Sequence, residues 1–184
     1  MDDGIDRALI RRILEDPERH PWTIQGTGLL ALRLDGRREY RLHVWHPAYG
    51  VADPPVHDHP YDFVSQVIVG EVTNTLYEES SSGVEYRRVR YSPPDETPRC
   101  TDTVRLAARP AVLKEGQIYS QLAHELHDSR QLPGTVTVIR CGFKDVPSLT
   151  VCLSDNGTWV TGKSRRPEPE DVKIITACAL ERFS

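Results

Sequence analysis

The chain of 184 residues is short of several things, and each shortage excludes a class of protein. It holds no apolar run approaching the ~20 residues that a bilayer-spanning helix needs. Its N-terminus carries Asp2, Asp3 and Asp6 where a secretory signal would be basic and then apolar. Positive charge is not in excess: 23 Lys and Arg against 27 Asp and Glu give a net charge of −4 and a pI near 6.0. A nucleic-acid protein would normally show a basic face. The densest basic run, Lys163-Ser164-Arg165-Arg166, is followed at once by Pro167-Glu168-Pro169-Glu170 and reads as a solvated loop.

Cysteines stand at 100, 141, 152 and 178, without the short spacings of a zinc or redox motif. Cys141 and Cys152 lie in apolar runs, where a reduced buried thiol is the ordinary state. There is no glycine-rich phosphate loop, no serine-nucleophile motif and no internal repeat. Asn156-Gly157-Thr158 fits a glycosylation acceptor, but turn chemistry explains it better in a chain expected to be cytoplasmic. The expectation is a soluble, cytoplasmic protein that meets a small molecule rather than nucleic acid or a membrane.

What is present is a series of short β-like segments between two helical ends. Residues 2–16 predict a helix, with Ile5, Leu9, Ile10, Ile13 and Leu14 at helical spacing and Pro17 at its end. Its apolar face packs on the main body or on a partner subunit. Strands are expected at Leu29–Leu34 and Glu39–Trp45 around an Asp35-Gly36 turn, then at His57–Val69 and Val72–Tyr77 around Gly70-Glu71. Ser80-Ser81-Ser82-Gly83 reads as a loop before a strand Val84–Tyr91, and Ser92–Pro98 as an exposed connection. Further strands follow at Thr103–Leu106, Ala111–Leu113, Ile118–Gln121, Thr135–Cys141 and Leu149–Leu153. Asp155-Asn156-Gly157 then turns into Thr158–Thr161, and a last helix runs from about Glu170 to Phe183. The pattern predicts one mainly β domain over 1–184, a sandwich or small barrel at about 25–162. A helix covers 1–17; a linker and helix cover 163–184.

Four of the seven histidines fall in two places, His57 with His59 and His124 with His127. On a strand over His57–Val69, His57 and His59 project the same way and can hold one metal ion through imidazole nitrogens.

These residues resemble the cupin family, a small β-barrel or double-stranded jelly roll that holds one metal inside. The first cupin motif has two histidines separated by one residue, then a glutamate after three or four intervening residues and a glycine after six more. This chain supplies His57, His59 and Gly70 in register, with Phe63 at the glutamate position. Counting the second motif from Gly116 puts its histidine on His127, while Leu122, His124 and Gln131 take the proline, glycine and asparagine positions. The resemblance implies three ligands, His57, His59 and His127, and one divalent metal. Iron(II) is the first expectation, with zinc, nickel or manganese as alternatives.

A three-histidine set occurs in cupins that resemble thiol dioxygenases. The expected function is therefore a non-haem iron dioxygenase or oxygenase acting on a small polar metabolite. The alternatives are a non-redox isomerase, epimerase or lyase of the cupin kind, and a non-catalytic small-molecule-binding cupin. Homodimers are frequent in the family and are expected here on that basis.

Around the ligands several assignments stay open. Phe63 faces the pocket and cannot coordinate; a carboxylate would have to come from Asp62 or Glu125. His124 either replaces His127, moves a proton near the metal together with Glu125, or lies exposed. Ser65, Val67 and Val69 face inward. Arg41, His43 and Trp45 share one face of a strand, so either Arg41 pairs a substrate anion by its planar fork or Leu42 and Val44 are the core and Arg41 is solvated. Tyr119 and Ser65 complete the substrate-binding candidates. Arg140, amid Val136, Val138 and Ile139, is expected to need a partner.

Overall fold

The computed structural model describes residues 6–25, 29–34, 39–46, 55–91, 98–142, 149–154 and 165–183 (main chain alone at 98–101). Helix α1 (Arg7–Glu15) starts at Asp6, whose carboxylate accepts the Leu9 N–H at 2.7 Å, and stops where Pro17 opens a short 3-10 turn. The strands are β1 (Thr23–Gln25), β2 (Leu29–Arg33), β3 (Tyr40–Trp45), β4 (Val56–His57), β5 (Phe63–Val69) and β6 (Glu71–Tyr91). They continue as β7 (Pro98–Lys114), β8 (Ile118–Gln121), β9 (Leu126–Gln131), β10 (Val136–Cys141) and β11 (Leu149–Leu153), before helix α2 (Pro169–Leu180). The chain is thus mostly β, as the pattern of short strand-like segments predicts. One sheet has the order β1-β2-β3-β10-β5-β8, the other β11-β4-β9-β6-β7, and β6 pairs additionally with β11. All the described pairings within the sheets are antiparallel. Among the described residues no helix is long and apolar enough to cross a membrane.

Strand alternation gives the first sheet two different faces. Leu30, Leu32, Leu42, Val44, Val136 and Val138 lie beneath the helices, where Ile10, Ile13 and Leu14 of α1 meet Val172, Ile175 and Ala179 of α2. The register sets Leu42 between Leu32 and Val138, and Val44 between Leu30 and Val136. Each such buried side chain contributes roughly 1.5–3 kcal/mol of hydrophobic stabilisation, which is what holds the helices to the sheet. α1 therefore packs on its own body. The residues of opposite parity, Arg41, His43, Trp45, Phe63 and Ser65, occupy the other face, which looks onto the second sheet. Leu42 and Val44 are core, yet Arg41 is not solvated: it is half-buried and its Nε is fully enclosed.

Several expectations change. The run His57–Val69 is two strands in two different sheets, because Pro60 has no N–H to give a ladder and the chain crosses between sheets there. The segments Thr103–Leu106 and Ala111–Leu113 are parts of one strand, β7, held as a single ladder by its pairing with β6. Ser80–Gly83 stays on the path of β6 but leaves its ladder, since Leu106 pairs with both Glu79 and Val84. Gly83 permits that close passage: a Cβ there would sit 2.4 Å from the Leu106 carbonyl. Strands β1 and β9 have no strand signal in the sequence. Arg140 is exposed near the end of β10 and needs no buried partner. Cys141, Cys152 and Cys178 are free thiols, and burial pushes Cys152 up to about 11. The Asp35-Gly36 turn, the connection over 92–97, the side chain of Cys100, the turn over 155–157 with the strand 158–161, and Lys163-Ser164 lie outside the described residues.

Candidate metal centre

Three imidazoles converge between the sheets. His57 ends β4 and pairs directly across the ladder with His127 of β9; their ring centroids are 4.8 Å apart. His59 is outside any strand, two residues on, where the chain leaves for the other sheet. Its ring still lies 4.9 Å from His57 and 5.1 Å from His127. One nitrogen from each can be chosen so that all lie within 4.8 Å of one another. The His59 Nε2 and His127 Nε2 atoms are 3.1 Å apart. Two nitrogens each about 2.1 Å from a shared ion would sit about 3.0–3.4 Å apart, so this pair is already at ligand spacing. The strand parity expected from the sequence is not what joins His57 to His59; the crossover after Pro60 brings them together.

The hydrogen bonds around the rings set their tautomers. His57 Nδ1 lies 3.0 Å from the Pro55 carbonyl and donates to it. His127 Nδ1 donates to Asn74 Oδ1 at 2.9 Å, and Asn74 Oδ1 also accepts from Ser129 Oγ at 3.0 Å. Both rings therefore carry the proton on Nδ1 and offer the Nε2 lone pair, the usual way a protein orients a metal-binding histidine. Burial disfavours the charged form of all three. His127 is held at about 3 by desolvation and then by neighbouring His57. His59 lies well below the ordinary histidine range through burial and then the nearby His57 and His127, with His43 and Arg41 adding to it. His57 is lowered by burial, partly opposed by its bond to Pro55. At neutral pH the set is three uncharged donors, which suits zinc, iron, nickel or copper.

The other predicted residues are placed as follows. Phe63 faces the cluster, its ring 5.3 Å from His59 and 5.9 Å from His127, so a phenyl wall stands beside the imidazoles. Asp62 is engaged in the turn, accepting the Ala123 N–H at 2.6 Å. His124 is exposed, with Nδ1 3.5 Å from the buried Asp58 carboxylate. Its φ of +64° is a left-handed conformation that glycine adopts freely, at the position where the cupin pattern has glycine. Glu125 accepts the Leu122 N–H at 2.8 Å and a Gln121 Nε2–H at 3.3 Å. Gln121 in turn accepts from Asn74 Nδ2 at 3.4 Å, so Glu125 connects to His127 through Gln121 and Asn74. Tyr119 is half-buried with its ring 6.1 Å from Phe63, and burial raises its hydroxyl against the opposing effect of Ser65 and Ser129. Ser65 makes no hydrogen bond of good geometry, although it lies near enough to the Tyr119 hydroxyl to favour its ionised form. Arg41 reaches over the Tyr61 ring at 5.9 Å, and that ring is 5.4 Å from His59.

Asn74 and His43 went unassigned in the sequence. Asn74 stands between Thr73 and Thr75 on β6, so no local sequence signal marks it out. Asn74→Ala is expected to weaken metal binding about 10–100-fold while the protein still folds, because His127 loses the acceptor that fixes its tautomer. Competition for zinc against a chromophoric chelator measures this.

An all-β architecture carrying this three-histidine cluster is compatible with a cupin. No protein-family model matches the chain, and no curated protein matches it. Among solved structures, it is similar to a chain in the crystal structure of Drosophila melanogaster CENP-C bound to CAL1. The sequence identity is 9%, over 79% of this chain and 93% of that one, with a TM-score of 0.21. A score that low carries no argument about fold or activity.

Proposed function

We propose that this protein is a metal-dependent oxygenase built on a cupin-type jelly roll, with iron(II) held by His57, His59 and His127 and a small polar metabolite as substrate. The observation that carries the reading is the pair of hydrogen bonds on His57 Nδ1 and His127 Nδ1, which leave uncharged Nε2 donors turned toward the third imidazole. Three protein ligands leave positions open to substrate and O2, and bound iron would supply the redox chemistry toward O2 that amino-acid side chains lack. The chain's own part is to hold the ligands, and to limit water with the Phe63 ring and the buried surroundings. A non-redox cupin reaction would need a nearby base. Of the candidates for that role, Glu125 is engaged by the turn at Leu122 and His124 is exposed to solvent, which favours the oxygenase.

Tag-free protein should be purified without added metal, its metals quantified by mass spectrometry, and oxygen uptake recorded over a set of small thiols, amino acids and hydroxy acids. Near-stoichiometric iron, with uptake stimulated by one of these, is the expected result. Zinc, nickel or manganese without oxygen uptake would move the assignment to a non-redox enzyme. No metal, even after anaerobic reconstitution with iron(II), would leave a ligand-binding protein.

A further inference from the structure

A line of hydrogen bonds crosses between the sheets behind His127. His127 Nδ1 donates to Asn74 Oδ1 at 2.9 Å, and Asn74 Nδ2 donates to Gln121 Oε1 at 3.4 Å. Gln121 Nε2 donates to the Glu125 carboxylate at 3.3 Å and to the Glu125 main-chain carbonyl at 3.4 Å. The line thus runs from β9 to β6 in one sheet, over to β8 in the other, and ends just before β9. Gln121 is fully buried and Asn74 is 5% exposed, so bulk water does not compete for either amide.

Only the Glu125 end fixes the polarity of this line. A carboxamide can turn over, exchanging its oxygen for its NH2, and a neutral imidazole can carry its proton on either nitrogen. Ser129 Oγ, which also meets Asn74 Oδ1, both donates and accepts and so fits either orientation of Asn74. An ionised carboxylate and a main-chain carbonyl only accept. Both acceptors face one end of Gln121, so that end is the NH2 and the other the oxygen. The Gln121 oxygen calls for the Asn74 NH2, which turns the Asn74 oxygen to His127 Nδ1. The opposite tautomer of His127 has a partner of its own: His59 Nε2 lies 3.1 Å from His127 Nε2 and can accept an N–H from it. A proton on Nε2 would occupy the lone pair that a metal needs.

We infer that Gln121, pinned by Glu125, is a positioning residue for the metal centre: it holds the Asn74 oxygen toward His127 and so keeps the His127 Nε2 lone pair free. This rests on the proposed function only in taking His127 as a ligand; the chemistry of oxygen plays no part in it. Glu125 thereby acts on the centre through two amides, touching neither metal nor substrate. Apparent affinity scales with the fraction of protein in the competent tautomer, so a fall of that fraction to about a tenth weakens binding about tenfold.

The His127 tautomer would be read from the ring-nitrogen NMR shifts of isotope-labelled, chelator-stripped protein at neutral pH, and zinc affinity from competition with a chromophoric chelator. Wild type is expected to carry the His127 proton on Nδ1. Gln121→Met, of similar length but unable to hold the Asn74 amide, should move most of it to Nε2 and weaken zinc binding about tenfold, the loss matching the reciprocal of the Nδ1–H fraction that remains. In an Asn74→Asp background a carboxylate holds the His127 Nδ1–H unaided. There Gln121→Met should leave affinity unchanged or improve it, because it removes an oxygen that faces that carboxylate. Glu125→Ala covers the case in which Gln121→Met fails to fold: it should shift the tautomer the same way but less, since the main-chain carbonyl remains. Glu125→Gln keeps an acceptor oxygen and should stay near wild type. A wild-type proton on Nε2, an unchanged tautomer in whichever of Gln121→Met and Glu125→Ala folds, or equal losses of affinity in the wild-type and Asn74→Asp backgrounds would overturn the inference and leave the metal assignment intact. A folded wild type that binds neither zinc nor iron(II) would remove the metal centre instead; the tautomer measurements, made without metal, would still decide whether Gln121 sets the His127 ring.

Discussion

His127→Ala is expected to leave tag-free purification nearly empty of metal, with affinity reduced by more than about 100-fold. That exceeds the 10–100-fold cost typical of removing an outer partner such as Asn74. The argument runs through the ladder. His127 is the buried member of the cluster, set across from His57 by a strand pair and fixed in tautomer by Asn74, so it is the most preorganised of the ligands. His59 lies outside any strand and depends on the other two to meet an ion. Losing His127 leaves two donors, one of them on a segment that crosses between sheets. The same variant separates binding from folding. A ligand that binds only the folded state stabilises it by about 2.7 kcal/mol when present at a hundred times its dissociation constant. Zinc or iron(II) should therefore raise the melting temperature of wild type and leave His127→Ala unmoved. Measured metal content together with the melting shift checks both halves; equal metal in wild type and variant would remove His127 from the ligand set.

How much of this was legible in the sequence depends on how local the signal is. The α1 pattern, the segments now seen as β2, β3, β8, β10 and β11, and the closing helix are written in side-chain periodicity and turn residues that act over a few positions. Strand β9 is not: Leu126-His127-Asp128-Ser129-Arg130-Gln131 is almost wholly polar, and it becomes a strand because β4 and β6 pair with it on either side. The break after His57 was visible in Pro60, but a continuous reading from His57 to Val69 overrode it. The cluster itself was legible as residue types at a spacing; the reason its members meet was not, because a sheet-to-sheet crossing has no sequence period. For Arg41, His43 and Trp45, alternation alone left open which face was core. The sheet is covered on both faces, by helices on one side and by the second sheet on the other, so strand periodicity cannot mark one face as solvent.

That same double burial makes the metal-free protein sensitive to acid. Its stability is expected to fall steeply between about pH 6.5 and 4, with at least two protons taken up on unfolding. His43 and His127 are both held at about 3 in the folded protein, chiefly by burial, and both return to about 6.5 when the chain unfolds. Between those limits the unfolded chain binds a proton that the folded protein refuses. Stability therefore rises with pH through this window, is complete above about 6.5, and is lost as the pH falls. Each such histidine contributes a slope of about 1.4 kcal/mol per pH unit, so the pair removes roughly 4 kcal/mol between pH 7 and pH 5. His59 and His57, lowered from the same cause, add to the slope in the same direction. A domain of ordinary stability, about 5–15 kcal/mol, then comes close to unfolding near pH 4. Urea titrations of chelator-treated protein at pH 7.5, 6 and 5 give the slope directly. His43→Phe removes one titrating group and should lower the proton uptake by one while preserving the ring's volume. An unchanged unfolding free energy across that range would mean the folded protein takes up these protons as readily as the unfolded chain, so burial does not hold the imidazoles neutral in acid.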